Sequence, residues 1–511
     1  MRPDPTPADR FALGPILLAV AVISGALVRG LPLLGTDFPL GDGGLFATMI
    51  GDISANGLVP PAFTSYNGGG LPFAYPPLAF EFAAILQSAF GISTVDLLRV
   101  VPMIVSVATI PACFLFLRRL MNDENSAALA TVAFAVAPRS YAWLIVGGGL
   151  TRSFGLLFAL LALWQAIGLL QHGGQRRAIA TGAFAGLTAL SHLSAAVFLV
   201  ATATILAWRY RRAIPLRGIG TALGVAILIA GPWQLLVISR HGFGPLLAAG
   251  GSRIADLPDA FYQLLNLRFT GEFLFAPVAI LGAFGLIIAV LAGPRWIAVW
   301  LVTLFVVTSG DATTYAMVPW AVLVAMAVRR FIWPLAATRF RPVLATATLG
   351  LAIMGSSGTS LYVDSPLHSV PSATRAAMGD ARGELTAGSQ VLVVSGSRWG
   401  LDSTAEWFPV LSGRESVATV QGNEFAPGGQ WSRAIARAKA LEECSEQGVG
   451  CLDEWSRKYG VAFDAVFIPK GWVAGSREDE CCGLLRHELR EDPQWTVVFD
   501  NAGATLVRST P

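Results

Sequence analysis

The chain has 511 residues, 54% hydrophobic and 14% charged, with a formal net charge of +3 and a mean hydropathy of +0.59. A chain this apolar at this length is not a soluble globular protein. It carries no P-loop, nucleic-acid motif, internal repeat or low-complexity tract, so no nucleic-acid partner is expected.

Apolar runs of span length recur up to residue 358 and then stop. The expected architecture is therefore a polytopic α-helical membrane protein of about eleven transmembrane helices, followed by an extracytoplasmic α/β domain. Spans are predicted near 11–33, 97–117, 126–146, 152–170, 177–191, 193–208, 217–238, 273–292, 295–309, 313–328 and 342–358. This register puts Arg118-Arg119, Arg176-Arg177, Arg209 to Arg217, Arg295, Arg329-Arg330 and Arg339 to Arg341 on one side, with Arg2 and Arg10. By the positive-inside rule that side is the cytoplasm, in the plasma (cytoplasmic) membrane. Loops 34–96, 147–151, 239–272 and 310–312 then lie outside with the C-terminal domain. Residues 11–28 precede Arg29-Gly-Leu-Pro32 rather than a small-residue cleavage site, so the first span is expected to stay as an anchor. The domain boundaries expected are 1–358 for the membrane domain, 359–375 for a linker and 376–511 for the outer domain.

The first outer loop opens with Phe38-Pro-Leu-Gly-Asp42-Gly-Gly-Leu-Phe46. Residues 44–57 then show an amphipathic pattern through Leu45, Met49 and Ile53, which predicts a helix lying on the membrane surface. A carboxylate held at a membrane surface is a site hypothesis in its own right; a helix N-cap is the plainer role for Asp42. Further on come Tyr66-Asn-Gly-Gly-Gly and Tyr75-Pro-Pro-Leu. Residues 76–90, carrying Glu81, reach roughly 22 Å as a helix, less than the ~30 Å apolar core, and are expected to dip in from outside. The second outer loop, Gly147-Gly148-Gly149-Leu-Thr151-Arg152, joins a flexible turn to a helix N-terminus and a guanidinium. That combination suits a phosphate, with a plain helix connection as the alternative. The run 178–208 needs a hairpin near Ser191-His192, where His192 is either a buried histidine or a phosphate contact. The loop 239–272 adds Arg240, His241, Arg253 and Arg268, and Asp311 reads as a helix cap.

In the C-terminal part, 390–394 and 465–468 read as buried strands, 495–500 with 504–507 as a hairpin, and 430–447 as an amphipathic helix. Cys444, Cys451, Cys481 and Cys482 allow three disulfide connectivities, with the adjacent pair expected to bridge elsewhere. Trp399, Trp407 and Trp431 suit either sugar stacking or a core.

The order of span, acidic outer loop, surface helix, Tyr75-Pro-Pro-Leu and many further spans resembles the GT-C superfamily of membrane glycosyltransferases. That group includes protein O-mannosyltransferases, aminoarabinose transferases and the catalytic subunit of oligosaccharyltransferase. Leu190-Ser-His192-Leu, Tyr315-Ala-Met-Val-Pro319-Trp320 and Glu406-Trp-Phe-Pro-Val-Leu-Ser-Gly-Arg414 echo other members. The resemblance implies transfer of a sugar from a lipid-linked polyprenyl-phosphate donor to a glycan, lipid or protein acceptor. It implies Asp42 as catalytic base, with Asp37 the runner-up. Arg152, Gly148, Gly149 and His192 are expected at the donor phosphate, and Tyr66, Tyr75, Glu81, Arg253 and Arg268 around the substrate cavity. Oligosaccharyltransferase-like members carry a metal-binding acidic pair in the second outer loop; here that loop has no carboxylate, which counts against a metal site of that type, so no metal ligand is assigned and a divalent metal stays an open alternative to cationic protein at the phosphate. A lipid or solute transporter, or a non-catalytic relative that binds an acceptor or partner, are the alternatives.

Overall fold

The computed structural model describes residues 13–211, 215–251, 258, 262–263, 265–266, 268–273, 275–333, 341–361, 365–471 and 481–510. A helix stands at each of the eleven expected places. Five are long and apolar enough to cross a membrane unaided: Leu13–Leu34, Thr94–Met121, Gly149–His172, Leu216–His241 and Ala312–Ile332. Two bent pairs raise the number to seven if each is one span. Leu223, Ile227, Leu228 and Leu235 leave the helix Leu216–His241 with an exposed apolar flank, as a lipid-facing helix requires.

The expected span 126–146 is not continuous. Helix Glu124–Val136 stops, and the chain bends by 87° into Pro138–Ile145. Pro138 has no N–H to continue the ladder, and it pushes Ala137 to an extended backbone (φ −70°, ψ 120°). The bend carries Arg139 and Trp143 to the wall of a central cavity. The run 178–208 does divide at His192, into Gln175–Ser191 and Leu193–Arg209.

One buried cation ties the first helix to this bend. Arg29, fully buried, donates from Nε to Ser106 Oγ (3.0 Å) and from Nη1 to the carbonyls of Gly25 (3.0 Å) and Ala135 (2.6 Å). Nη2 reaches Ser140 Oγ at 3.4 Å, and the guanidinium lies over the Tyr141 ring at 4.7 Å.

The outer loop builds the helix Gly44–Ala55, a short hairpin of Phe63–Thr64 with Leu71–Pro72, and the helix Leu78–Phe90. Leu45, Met49 and Ile53, the predicted apolar stripe, are all buried. They face protein: the same core holds Trp407 and Phe408 of the C-terminal helix Ser403–Ser412.

The C-terminal part is a five-stranded mixed sheet flanked by helices, in the order Glu415–Ser416, Gln390–Val393, Ala465–Pro469, Ala504–Ser509, Trp495–Asp500. The first three strands are parallel and the last three antiparallel. Strand alternation divides the core: Val391 and Val393 face the cluster shared with the outer loop, while Leu392 and Val394 face Leu452, Trp455 and Leu485. Residues 365–371 lie beside the start of the first outer loop. Leu40 bridges Ser369, and Gly41 N–H donates to the His368 carbonyl at 2.6 Å.

Cys444 pairs with Cys451, and Cys481 with Cys482, the vicinal pairing the sequence reading set aside. Extended backbone sends adjacent side chains to opposite sides, but Cys482 is left-handed (φ 66°), outside that alternation.

Replacing Arg29 by Met leaves its buried carbonyl and hydroxyl acceptors without donors. The thermal midpoint of the purified chain should fall, with a loss on the order of 3 kcal/mol, as for other buried hydrogen-bonded charges. An unchanged midpoint would show that Arg29 does not hold the bend.

Candidate active site

Asp42 lies between two left-handed or otherwise glycine-restricted positions, Gly41 (φ 58°) and Gly43 (φ 135°). Its Oδ1 accepts the Gly148 N–H at 2.9 Å, and its Oδ2 faces Arg152 Nη1 at 3.6 Å. Gly148 is required for this approach, because a Cβ there would sit 2.5 Å from Asp42 Oδ2. The carboxylate therefore sits at the N-terminus of the helix Gly149–His172, where the helix dipole favours an anion.

Two expectations change here. The amides of the glycine turn are not open to a phosphate: Gly147 donates to Leu40 O (2.8 Å), Gly148 to Asp42, and Gly149 to Val146 O (2.8 Å). A protein carboxylate already occupies the anion position. Nor does Asp42 cap the helix that follows it, whose N-cap Gly43 has no side-chain cap. That role falls to Glu406. Its Oε1 accepts the N–H of Gly43 (3.0 Å) and of Leu45 (3.3 Å). Its carbonyl accepts from the Tyr66 hydroxyl at 2.7 Å. Gly44 lets the two backbones meet, since a Cβ there would lie 2.5 Å from Glu406 O. Trp407 closes the contact edge-on against Phe38, with ring centroids 4.6 Å apart.

Asp42, Arg152, Glu406 and Glu424 line one cavity of about 460 Å³. The membrane helices contribute Arg139, Trp143, Thr151, Arg152, His192 and Asp311; the C-terminal part contributes Trp399, Glu406, Gln421, Glu424 and Trp431. His192 Nε2 lies 3.6 Å from Asp311 Oδ2, and Nδ1 lies 3.4 Å from Thr151 Oγ1. Burial works to raise the Asp311 pKa, but the hydrogen bond and charge of His192, with the charge of Arg152, outweigh it and hold this carboxyl below the usual carboxylate range. Glu406 shows the opposite balance: burial first, and then the charge of Asp42, push its carboxyl well above the usual range. Burial pushes Glu424 up to about 7.

The structure brings Asp42, Gly148, Arg152, His192 and Tyr75 together on this cavity. It sends others elsewhere. Asp37, the alternative base, is 77% exposed and paired with Arg375 at 2.6 Å. Gly149 is buried against the Leu144 carbonyl, Tyr66 is buried with its hydroxyl on Glu406 O, and Glu81 does not line the cavity. Arg253 and the side chain of Arg268 lie outside the described residues. Asp311, read as a cap, makes no side-chain cap bond and instead faces His192. Glu406 and Glu424 escaped the sequence reading as site residues. The one signal for Glu406 was the Glu-Trp-Phe-Pro motif itself. Among the described residues no group of three or more His, Cys, Asp or Glu is placed to hold a metal ion.

Comparison with known proteins agrees with this architecture. Residues 74–236 match the family described as dolichyl-phosphate-mannose-protein mannosyltransferase. The Archaeoglobus fulgidus oligosaccharyltransferase, solved with Zn and sulfate, superposes with a TM-score of 0.56 at 15% identity, over 90% of this chain and 70% of that one. ArnT from Cupriavidus metallidurans, bound to undecaprenyl phosphate, gives 0.54 at 15% identity, over 96% and 97%. The mycobacterial arabinofuranosyltransferase AftD gives 0.55 at 17% identity, over 97% of this chain and 40% of AftD. No curated protein matches the chain. At these identities the likeness is one of fold, shared with the oligosaccharyltransferase, ArnT and AftD structures.

Two outcomes test the site's construction. Glu406→Ala strands the Gly43 and Leu45 amides, so hydrogen exchange over residues 43–50 should quicken, with a local cost of about 1 kcal/mol, whereas Glu406→Gln keeps an accepting oxygen and should stay near wild type. Equal exchange in both variants would remove the cap. Glu424 gives a pH signature. The folded chain keeps its proton up to about 7, while the unfolded chain releases it near ~4.3. The Glu424 contribution to stability is thus present below the unfolded value and is lost as pH rises to the folded one. The thermal midpoint should fall across that window and level off above it, and Glu424→Gln should flatten the fall.

Proposed function

We propose that this chain is a GT-C glycosyltransferase that moves a sugar from a polyprenyl-phosphate carrier to an acceptor on the extracytoplasmic side of the cytoplasmic membrane. The observation that carries the reading is the pairing of Asp42 with Arg152 on the wall of a cavity bounded by membrane helices on one side and the C-terminal part on the other. A lipid carrier reaches such a cavity along the bilayer, and an acceptor reaches it from water. The arginine pattern supports an N-terminus inside and this cavity outside.

Asp42 supplies the base. Gly148 fixes Oδ1, and Oδ2 faces Arg152, with both residues on the cavity wall. The acceptor hydroxyl gives its proton to Oδ2 as its oxygen bonds to the anomeric carbon. The bond from that carbon to the phosphate oxygen breaks, and its electron pair leaves with the polyprenyl phosphate. A single displacement of this kind inverts the anomeric centre. Arg152 answers the charge that gathers on the leaving phosphate, with Arg139 on the same wall. Before donor binds, Arg152 is held by Asp42 and by the charge of Asp311, so an arriving phosphate meets an oriented guanidinium.

The test uses full-length chain in nanodiscs, supplied with the carrier lipid identified by mass spectrometry of copurifying lipids. Asp42→Asn and Asp42→Ala should each lower kcat by ~10²-fold or more. Arg152→Ala should lower kcat and raise KM for the carrier, with Lys restoring part of both. Full activity in both Asp42 variants would sink the base assignment. Carrier movement across proteoliposomes without sugar transfer would replace the enzyme by a transporter.

A further inference from the structure

The two walls of the cavity differ in chemistry. The membrane helices present cations, Arg139 and Arg152, which suit a phosphate. The C-terminal wall presents Trp399, Trp431, Gln421 and Glu424. The two indole rings are half-buried, 5.5 Å apart and at 89° to each other, so they offer apolar surfaces in two directions. Glu424 Oε2 is buried without a hydrogen-bond partner among the described residues. An unpaired buried oxygen of this kind is costly until a donor arrives. Gln421 borders both this cavity and the small cleft that holds Asp42 and Glu406, so the wall leads to the proposed base.

Each class of ligand can be set against this wall. A phosphate meets no arginine or lysine among the residues of this wall, and the Glu424 carboxyl repels it when ionised. A polyprenyl chain would cover the indoles but leave Glu424 Oε2 without a donor and offer nothing to the Gln421 amide. A sugar meets both demands: its C–H faces pack on indole, and its hydroxyls donate to and accept from an amide and a carboxyl. With a pKa of about 7, Glu424 is able to do either at neutral pH.

We propose that Trp399, Trp431, Gln421 and Glu424 form an acceptor subsite for a neutral carbohydrate, so that the hydroxyl brought to Asp42 belongs to a sugar. This rests on the glycosyltransferase reading for its purpose, but the binding is measurable without any transfer.

The experiment titrates full-length chain in nanodiscs with neutral tetrasaccharides of mannose, glucose, galactose and arabinose, and with a Ser/Thr-rich decapeptide, by calorimetry. At least one tetrasaccharide should bind saturably and the peptide should not displace it. Trp399→Ala and Trp431→Ala should each weaken that binding about ten-fold, and the corresponding Phe variants, which keep a ring, should recover most of it. Glu424→Gln should weaken it less. Absence of tetrasaccharide binding, unchanged affinity in both Ala variants, or displacement by the peptide would overturn the subsite. Sugar binding with no transfer from the carrier keeps the subsite and removes the enzyme. Transfer to the peptide at an unchanged rate in the Trp variants keeps the enzyme and removes the subsite.

Discussion

Glu406 and the two amides it accepts from, at Gly43 and Leu45, are the contact on which the site depends. A helix N-terminus leaves its first amides unsatisfied, and the glycines at 43 and 44 have no side chain to cap them. Gly44 lets the backbone of the helix Ser403–Ser412 approach closely enough for a carboxyl from the far end of the chain to do it, and Gly43 makes room for the Trp407 ring. The surface helix is thus completed only when the C-terminal part is docked. Tyr66 on Glu406 O, Trp407 on Phe38, and Arg375 on Asp37 secure the same junction.

That arrangement releases Asp42 from capping and gives it to a different helix. Gly148 and Arg152 belong to the start of Gly149–His172, so Asp42 joins the outer loop to the membrane bundle while Glu406 joins it to the C-terminal part. Environment then separates the acids. Asp42 faces a guanidinium and is partly open to the cavity. Asp311 is held charged by His192 and Arg152, whereas Glu406 and Glu424 are shifted toward their neutral forms by burial. One cavity thus carries carboxyls held toward their charged form and carboxyls held toward their neutral form.

Much of the helical framework was legible because lipid imposes a simple rule: long apolar runs form helices, and arginines mark their inner ends. Asp42, the glycine turn and Arg152 were legible as well, since each is conspicuous in local sequence. Their pairing was not. Spacing along the chain does not tell that Gly148 would serve a carboxylate of its own chain before any phosphate. Pro138 marks the bend in the sequence, but the residues flanking it are apolar enough to read as one span. Arg29 had looked like a flank and is a buried tie between three helices.

Sequence alone determined the membrane class of this protein, its long apolar helical segments and four strands of its C-terminal sheet, and it made Asp42 conspicuous. These follow from local hydrophobic period, backbone preference and charge placement, which act over a few residues. Tertiary structure decided which groups meet: Glu406 on the Asp42 loop, Asp42 on Gly148 and Arg152, His192 on Asp311, and the tryptophans on the opposite wall. Those contacts join residues tens to hundreds of positions apart, and their partners are chosen by how helices and sheet pack. No local pattern encodes that choice.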